Sequence, residues 1–171
     1  MEKRIGTFDR ARQRGAIYLL VLFVVASTGA ALGTLGHAWS LDAKRERETG
    51  LLWAGAQYRR AIARYYEATP GPIKTFPPTL ESLLADPRFP ETRRHLRQPL
   101  ADPFTGASDW VTIAAPGGGI MGIASRSEES PLKRTGFEGH HRAFEDVSTR
   151  LKDRLRYRDW EFIHVPGTPA D

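Results

Sequence analysis

Apolar residues in this chain fall first in one unbroken block and then at regular intervals. From Ala16 to Trp39 there is no Lys, Arg, Asp or Glu. That run is about 24 residues, or about 36 Å of helix, against a hydrocarbon core of about 30 Å. A membrane-spanning helix is the element it predicts. From Leu41 onward the pattern changes: Leu51, Ala54 or Gly55, Tyr58, Ile62 and Tyr65 recur three and four residues apart, with Arg59, Arg60, Arg64 and Glu67 between them. This spacing predicts an amphipathic helix with one apolar, aromatic face. No Pro interrupts residues 16–69, so one helix of about 50 residues can carry both patterns, with Thr49 and Gly50 its weakest place.

The helix is expected to stop at "ATPGP", because Pro70 disfavours helix at Thr69, and Gly71 and Pro72 follow. Beyond it, "PPTLESLLADPRFP" predicts a short helix with Thr79 as N-cap, through Leu80, Leu83 and Leu84 and ended by Pro87. "WVTIAA" and "GIMGIAS", joined by "PGGG" at Pro116–Gly119, predict a β-hairpin. "DWEFIHV", Asp159–Val165, alternates Trp160, Phe162 and His164 with Glu161 and Ile163 and reads as a third strand. "HHRAFEDVSTRLKDRLRY" places Phe144, Val147 and Leu151 at helical spacing among many charges, a weak helix or an ordered loop. The fold class expected is α+β: a long amino-terminal helix, membrane-spanning in its first half and amphipathic in its second, packed on a small antiparallel sheet.

Charge favours one orientation. The net charge is +5, but Lys3, Arg4, Arg10, Arg12 and Arg14 against Glu2 and Asp9 place +3 of it before Ala16 and leave +2 for the rest. So nearly neutral a remainder lacks the electrostatic footprint of a nucleic-acid binder. Arginines directly before the apolar run favour a cytoplasmic amino terminus. Lys44, Arg45 and Arg47 on the other side weaken the contrast but are accompanied by Asp42, Glu46 and Glu48. The organisation expected is a cytoplasmic basic leader over 1–15, a transmembrane helix over 16–39, its amphipathic extension over 40–68 and a globular domain over 69–171. Gly29 and Gly33 form a GxxxG spacing that lets membrane helices approach closely, although Gly is common in such helices in any case. With no cysteine, disulfides, thiolate metal sites and Cys nucleophiles are excluded.

In that order, a basic leader ending in Arg14 and Gly15, an apolar helix, an amphipathic extension and a carboxy-terminal sheet resemble the type IV pilin superfamily. The nearer resemblance is to the pseudopilins of type II secretion systems. "LLWAGAQYRRAIARYYEATPG", "PPTLESLLADPRFP" and "LADPFTGASDW" resemble major-pseudopilin-like proteins, in which a Tyr-bearing helix enters a Pro-rich loop and an Asp-Pro turn, here Asp102–Pro103, precedes the sheet. The resemblance implies that prepilin peptidase cuts between Gly15 and Ala16 and leaves the helix in the membrane. It further implies an inner-membrane, single-pass protein with its carboxy-terminal domain in the periplasm. The implied partners are other pseudopilins and further copies of itself, the peptidase, the inner-membrane assembly platform and the lipid bilayer. Leu51, Tyr58, Ile62 and Tyr65, with Gly29 and Gly33, are the expected helix-packing positions.

Two positions depart from the family pattern. Ala16 stands where the family has an often N-methylated Phe, and Leu20 where it has a Glu that pairs with a neighbour's amino terminus. The late calcium loop of major pseudopilins is also not reproduced. Asp102, Asp109, Ser125, Ser127, Glu128 and Glu129 offer oxygen ligands for Ca²⁺, but without that loop's spacing, and a solvated charged loop is the preferred reading, with no cofactor expected.

No catalytic constellation is evident, so an enzyme is not expected. His140 and His141 are adjacent and diverge on either a helix or a strand. Ser125 and Ser127 lack a Gly-x-Ser-x-Gly elbow, and "PGGGIMG" lacks the Lys-Ser/Thr of a phosphate loop. "RRHLRQ", Arg93–Gln98, is a compact basic cluster suited to lipid head groups, an acidic partner or plain solvation. Two alternatives stand beside the filament subunit: a membrane-anchored binding or scaffold domain that does not polymerise, and a secreted enzyme cut after Ala38.

Overall fold

Helix α1 spans Phe8–Glu67. In the computed structural model, residues 8–137 and 139–167 are described, while the side chains of 8–16, 30–38 and His140 fall outside that description. The chain divides into two units, Met1–Ala43 and Lys44–Asp171. In the first, the described side chains from Ile17 to Gly29 are all exposed on the helix, and Thr28 Oγ1 donates to the Val24 carbonyl at 2.8 Å. That back-bond satisfies a hydroxyl within its own helix.

The second unit is α+β, and its sheet is antiparallel, with β1 (Val111–Ala114), β2 (Ile120–Ala124) and β3 (Glu161–Ile163) in the order β1-β2-β3. β1 and β2 pair Val111 with Ala124 and Ile113 with Gly122, with an irregularity between Ile113 and Ala114. The expected "PGGG" hairpin is the connection. Gly118 and Gly119 lie at φ of 89° and 80°, and the Ala115 N–H donates to the Gly119 carbonyl at 2.9 Å. A side chain at Gly119 is excluded a second time, since a Cβ there meets the Phe76 backbone and Cβ at about 3 Å. The third strand is shorter than its sequence pattern, but the alternation holds: Trp160, Phe162 and His164 are buried.

α1 delivers Leu51, Ala54, Tyr58, Ala61, Ile62 and Tyr65 to the core, where they join Leu83, Leu96, Trp110, Ile123, Phe137, Phe144, Leu155, Tyr157, Trp160 and Phe162. Each large apolar side chain buried there contributes about 1.5–3 kcal/mol. Glycine sets how closely helix and sheet approach. A Cβ on Gly55 falls 2.3 Å from the Phe162 ring, so only a bare backbone fits. The aromatic cluster continues through Phe144, which stacks on Trp160 at 5.5 Å and meets Phe137 edge-on at 5.6 Å.

One local expectation is corrected and one ambiguity is resolved. The Thr79-capped helix is a 3-10 turn over Glu81–Leu83, with Leu80 in the capping position; the Thr79 hydroxyl pairs with that of Ser82 at 3.3 Å instead of capping. A segment closed between Pro78 and Pro87 is too short for helical hydrogen bonding to propagate. The ambiguous segment is ordered as helix α2 (Ala143–Leu151), preceded by a 3-10 turn over Gly139–Arg142 and followed by another over Lys152–Arg154. Phe144 packs inward as the spacing predicts. Glu145, in the first turn, accepts from the Gly136 and Phe137 amides at 2.6 and 3.0 Å, tying the incoming loop to the helix.

Candidate functional site

Arg14, Gly15, Ala16 and Gly33 lie within the helical backbone of α1, but beyond that backbone they fall outside the described residues. Immediately after the expected cut, nine consecutive large apolar side chains, Ile17 to Val25, are between 54% and 70% exposed, Leu20 among them. A Cβ built on Gly29 meets nothing within 4 Å, so that side of α1 is open. Among the described residues no helix is long and apolar enough to cross a membrane. The expected span over 16–39 includes side chains outside that set.

The other predicted packing positions are committed within the second unit. Leu51, Tyr58, Ile62 and Tyr65 are each at most 2% exposed. The Tyr58 hydroxyl donates to the Leu100 carbonyl at 3.4 Å and accepts from the Leu100 N–H at 3.2 Å, and Trp110 Nε1 donates to the same carbonyl at 2.8 Å. Burial holds the Tyr58 phenol above its ordinary pKa, against the lowering effect of these bonds.

Three buried carboxylates bind loops to this framework. Glu48 accepts from the backbone amides of Leu132 and Lys133, each at 3.0 Å, and from the Tyr157 hydroxyl at 3.3 Å. Burial first, and the Glu48 charge second, push the Tyr157 phenol well above its ordinary range. Asp86 receives Arg88 through Nε at 2.9 Å and Nη2 at 2.7 Å, and His95 Nε2 at 2.9 Å. Burial works to raise its pKa, but the Arg88 and His95 bonds outweigh it and hold the carboxyl far below the usual range. Arg88 also donates to the Tyr65 carbonyl at 2.8 Å and to Thr69 Oγ1 at 2.6 Å, while its guanidinium lies 3.5 Å over the Tyr65 ring. It thereby satisfies the carboxy-terminal end of α1, where free carbonyls attract cations. Asp102, fully buried, accepts from Ser125 Oγ at 2.5 Å and from the Phe104 amide at 2.9 Å.

These bonds correct the reading of the late acidic residues as one solvated loop. Asp102 and Ser125 are interior, whereas Asp109 pairs with Arg126, Glu128 with Arg158 and Glu129 with Lys44 nearer the surface. Among the described residues no three His, Asp or Glu side chains converge as a metal site. His141 stacks on Phe144 at 5.3 Å, which is a packing role.

The sequence reading missed Glu48, Asp86, Arg88 and His95. Asp86-Pro87-Arg88 carried a usable signal, since Asp Oδ1 accepts the Arg88 N–H two residues on, at 3.1 Å, as Asp does in turns. Glu48 carried none, because its partners lie 84 to 109 residues away, and the pairing of His95 with Asp86, nine residues back, follows no helical or turn spacing. The result is a groove of about 840 Å³ between α1, through Trp53, Gln57 and Arg64, and the segment from Arg94 to Leu100. No known protein family, curated protein or solved structure matches the chain.

Proposed function

We propose that the chain is a pseudopilin-like structural subunit of a type II secretion or type IV pilus-like filament. It is cut after Gly15 by prepilin peptidase and retained in the inner membrane by α1. The observation that carries this reading is the exposed apolar surface from Ile17 to Val25, directly after Arg10, Arg12 and Arg14. So long an unbroken apolar surface is at home in lipid or against other apolar helices. The carboxy-terminal domain then stands in the periplasm, and the helix supplies the assembly contacts, with open Gly29 permitting close approach. The protein is the object of the peptidase's chemistry and performs none of its own.

A second reading is a single-pass anchored scaffold domain that does not polymerise. Leu20 favours it, because an alkyl group cannot pair with a neighbour's amino terminus as a Glu does. Amino-terminal sequencing of the mature protein, with crosslinking along α1, separates the readings. A filament subunit begins at Ala16 and gives a ladder of multimers. An uncut chain beginning at Met1 without a ladder is the scaffold, and a soluble product beginning at Trp39 is a secreted protein and overturns both. Gly15→Leu is expected to block cutting; unchanged processing of that variant refutes Gly15 as the site.

A further inference from the structure

Arg94–Gln98 of the basic cluster form one wall of the groove, and the opposite wall is the α1 face that carries Trp53, Gln57 and Arg64. Those three positions lie four and seven residues apart and so share one side of the helix. Arg64, Arg94 and Arg97 therefore converge on one concavity whose lining contains no Asp or Glu. Arg94 and Arg97 are exposed and form no ion pair among the described residues. Trp53 is 55% exposed at the same place, whereas Trp110 and Trp160 of the same unit are buried.

The wall that carries the arginines is held still. The His95 and Leu96 amides donate to the Leu83 carbonyl at 2.8 and 2.9 Å, His95 Nε2 donates to Asp86, and Leu100 is held in both directions by the Tyr58 hydroxyl. Arg94 and Arg97 project from a backbone held on either side of them, so the ordering cost left for a ligand to meet is that of the side chains and not of the backbone.

We propose that this groove docks an acidic peptide segment of a partner protein. Its carboxylates bridge to Arg64, Arg94 and Arg97 as fork-on-fork pairs, an apolar or aromatic side chain lies on Trp53, and the amides of Gln57 and Gln98 serve its backbone. The volume suits a ligand of a few residues. A lipid surface is a poorer match, because it calls on clusters of about 4–8 basic residues on an accessible face, whereas here three guanidiniums line a concavity. A nucleic-acid strand is also a poorer match, since a backbone contacting about 6–10 phosphates needs a wide basic surface and the chain beyond Gly15 carries only +2. The proposal is independent of the filament reading: either a polymerising or an anchored protein can recruit a partner through it.

The test is fluorescence anisotropy with the full chain in neutral detergent and a labelled glutamate-rich hexapeptide with one central phenylalanine. Saturable binding is expected, with no binding of the equivalent lysine peptide. Arg94→Glu/Arg97→Glu is expected to weaken it at least tenfold, and Trp53→Ala several-fold, while the surface control Arg126→Glu leaves it unchanged. The groove substitutions fall on exposed side chains, and circular dichroism checks that the fold persists. Equal affinity in the doubly reversed variant overturns the proposal. So does tighter, groove-dependent binding of a labelled decathymidylate or of phosphatidylglycerol vesicles, which assigns the groove to phosphate instead.

Discussion

Replacing Gly55 by Ala sets two known effects against each other. On an open helix, Ala in place of Gly stabilises by about 1 kcal/mol through reduced backbone entropy of the unfolded chain and better helix propensity. At Gly55 the new methyl lies 2.3–2.4 Å from three carbons of the Phe162 ring. Unstrained carbon contacts need about 3.5–4.0 Å, so ring or helix must retreat by more than about 1 Å. Neither has room. Phe162 is 1% exposed, lies edge-on to Phe144 at 5.3 Å, and sits in the β2–β3 pairing opposite Ile123. Overpacking of this kind costs about 1–3 kcal/mol, and more where the neighbour is fixed. The net expectation for Gly55→Ala is a loss of about 2 kcal/mol. Two other helical glycines serve as internal standards. Gly50 would place its methyl 3.2 Å from Pro103 Cγ, and Gly29 would meet nothing. Gly50→Ala is expected within about 0.5 kcal/mol of the parent, and Gly29→Ala at or above it. Guanidinium unfolding followed by tryptophan fluorescence measures all three. The argument is refuted if Gly55→Ala is as stable as the parent. It fails equally if adding Phe162→Leu, which shortens the obstructing side chain, does not reduce the Gly55→Ala penalty.

Glu48→Ala strands the Leu132 and Lys133 amides and the Tyr157 hydroxyl, and a loss of about 3 kcal/mol in chemical denaturation is expected, with Glu48→Gln intermediate. Asp86→Asn leaves Arg88 without its counter-charge beside α1, at a cost of about 3 kcal/mol near neutral pH. Because the Asp86 pKa is depressed in the fold, its contribution is complete above about pH 4 and is lost as pH falls toward the folded value. Stability curves of parent and Asp86→Asn should therefore converge in acid. His164 is buried beside Tyr66 and Phe76, with neither ring nitrogen hydrogen-bonded among the described residues. Burial, then Arg59, lower its pKa, against a smaller opposing effect of Glu67. The unfolded chain therefore takes up the proton first, and this site's contribution to stability falls from about pH 6.5 downward until the folded ring protonates. His164→Phe should flatten that limb, and an unchanged pH profile in the variant would show that the ring is not the titrating group.

What was legible in the sequence had a local cause. The apolar face of α1, the "PGGG" hairpin and the alternation of Trp160, Phe162 and His164 each follow from a period of 3.6 or 2, or from glycines at positive φ, and each can be read without knowing the fold. The 3-10 turn at Glu81–Leu83 was mistaken for a helix because its leucine spacing satisfies both. Only the lack of room between two prolines decides between them. Glu48 was invisible for a different reason: its partners Leu132 and Tyr157 lie 84 and 109 residues away, and a lone glutamate on a helix has the composition of a solvated one. The groove was half legible. "RRHLRQ" announced a basic cluster, but not that Asp86 and Leu83 would fix it opposite Trp53 and Arg64.

The use of each face of α1 narrows what it can offer a partner. Leu51, Tyr58, Ile62 and Tyr65 pack against the core of the second unit, so that stripe is consumed in holding one chain together. A substitution such as Ile62→Ala should accordingly lower the stability of the isolated subunit, by about 2–5 kcal/mol for a fully buried side chain. The surfaces left for other molecules are chemically distinct: Ile17–Val25 is apolar throughout, while Trp53, Gln57 and Arg64 present an aromatic ring, an amide and a cation. Membrane or helix–helix contact suits the first and a polar, acidic partner the second. Loss of multimers should therefore follow charged substitutions between Ile17 and Val25, whereas charge reversal at Arg94 and Arg97 should leave multimers intact and abolish peptide binding. If both sets of variants fail in both assays, the division of labour between these surfaces is wrong.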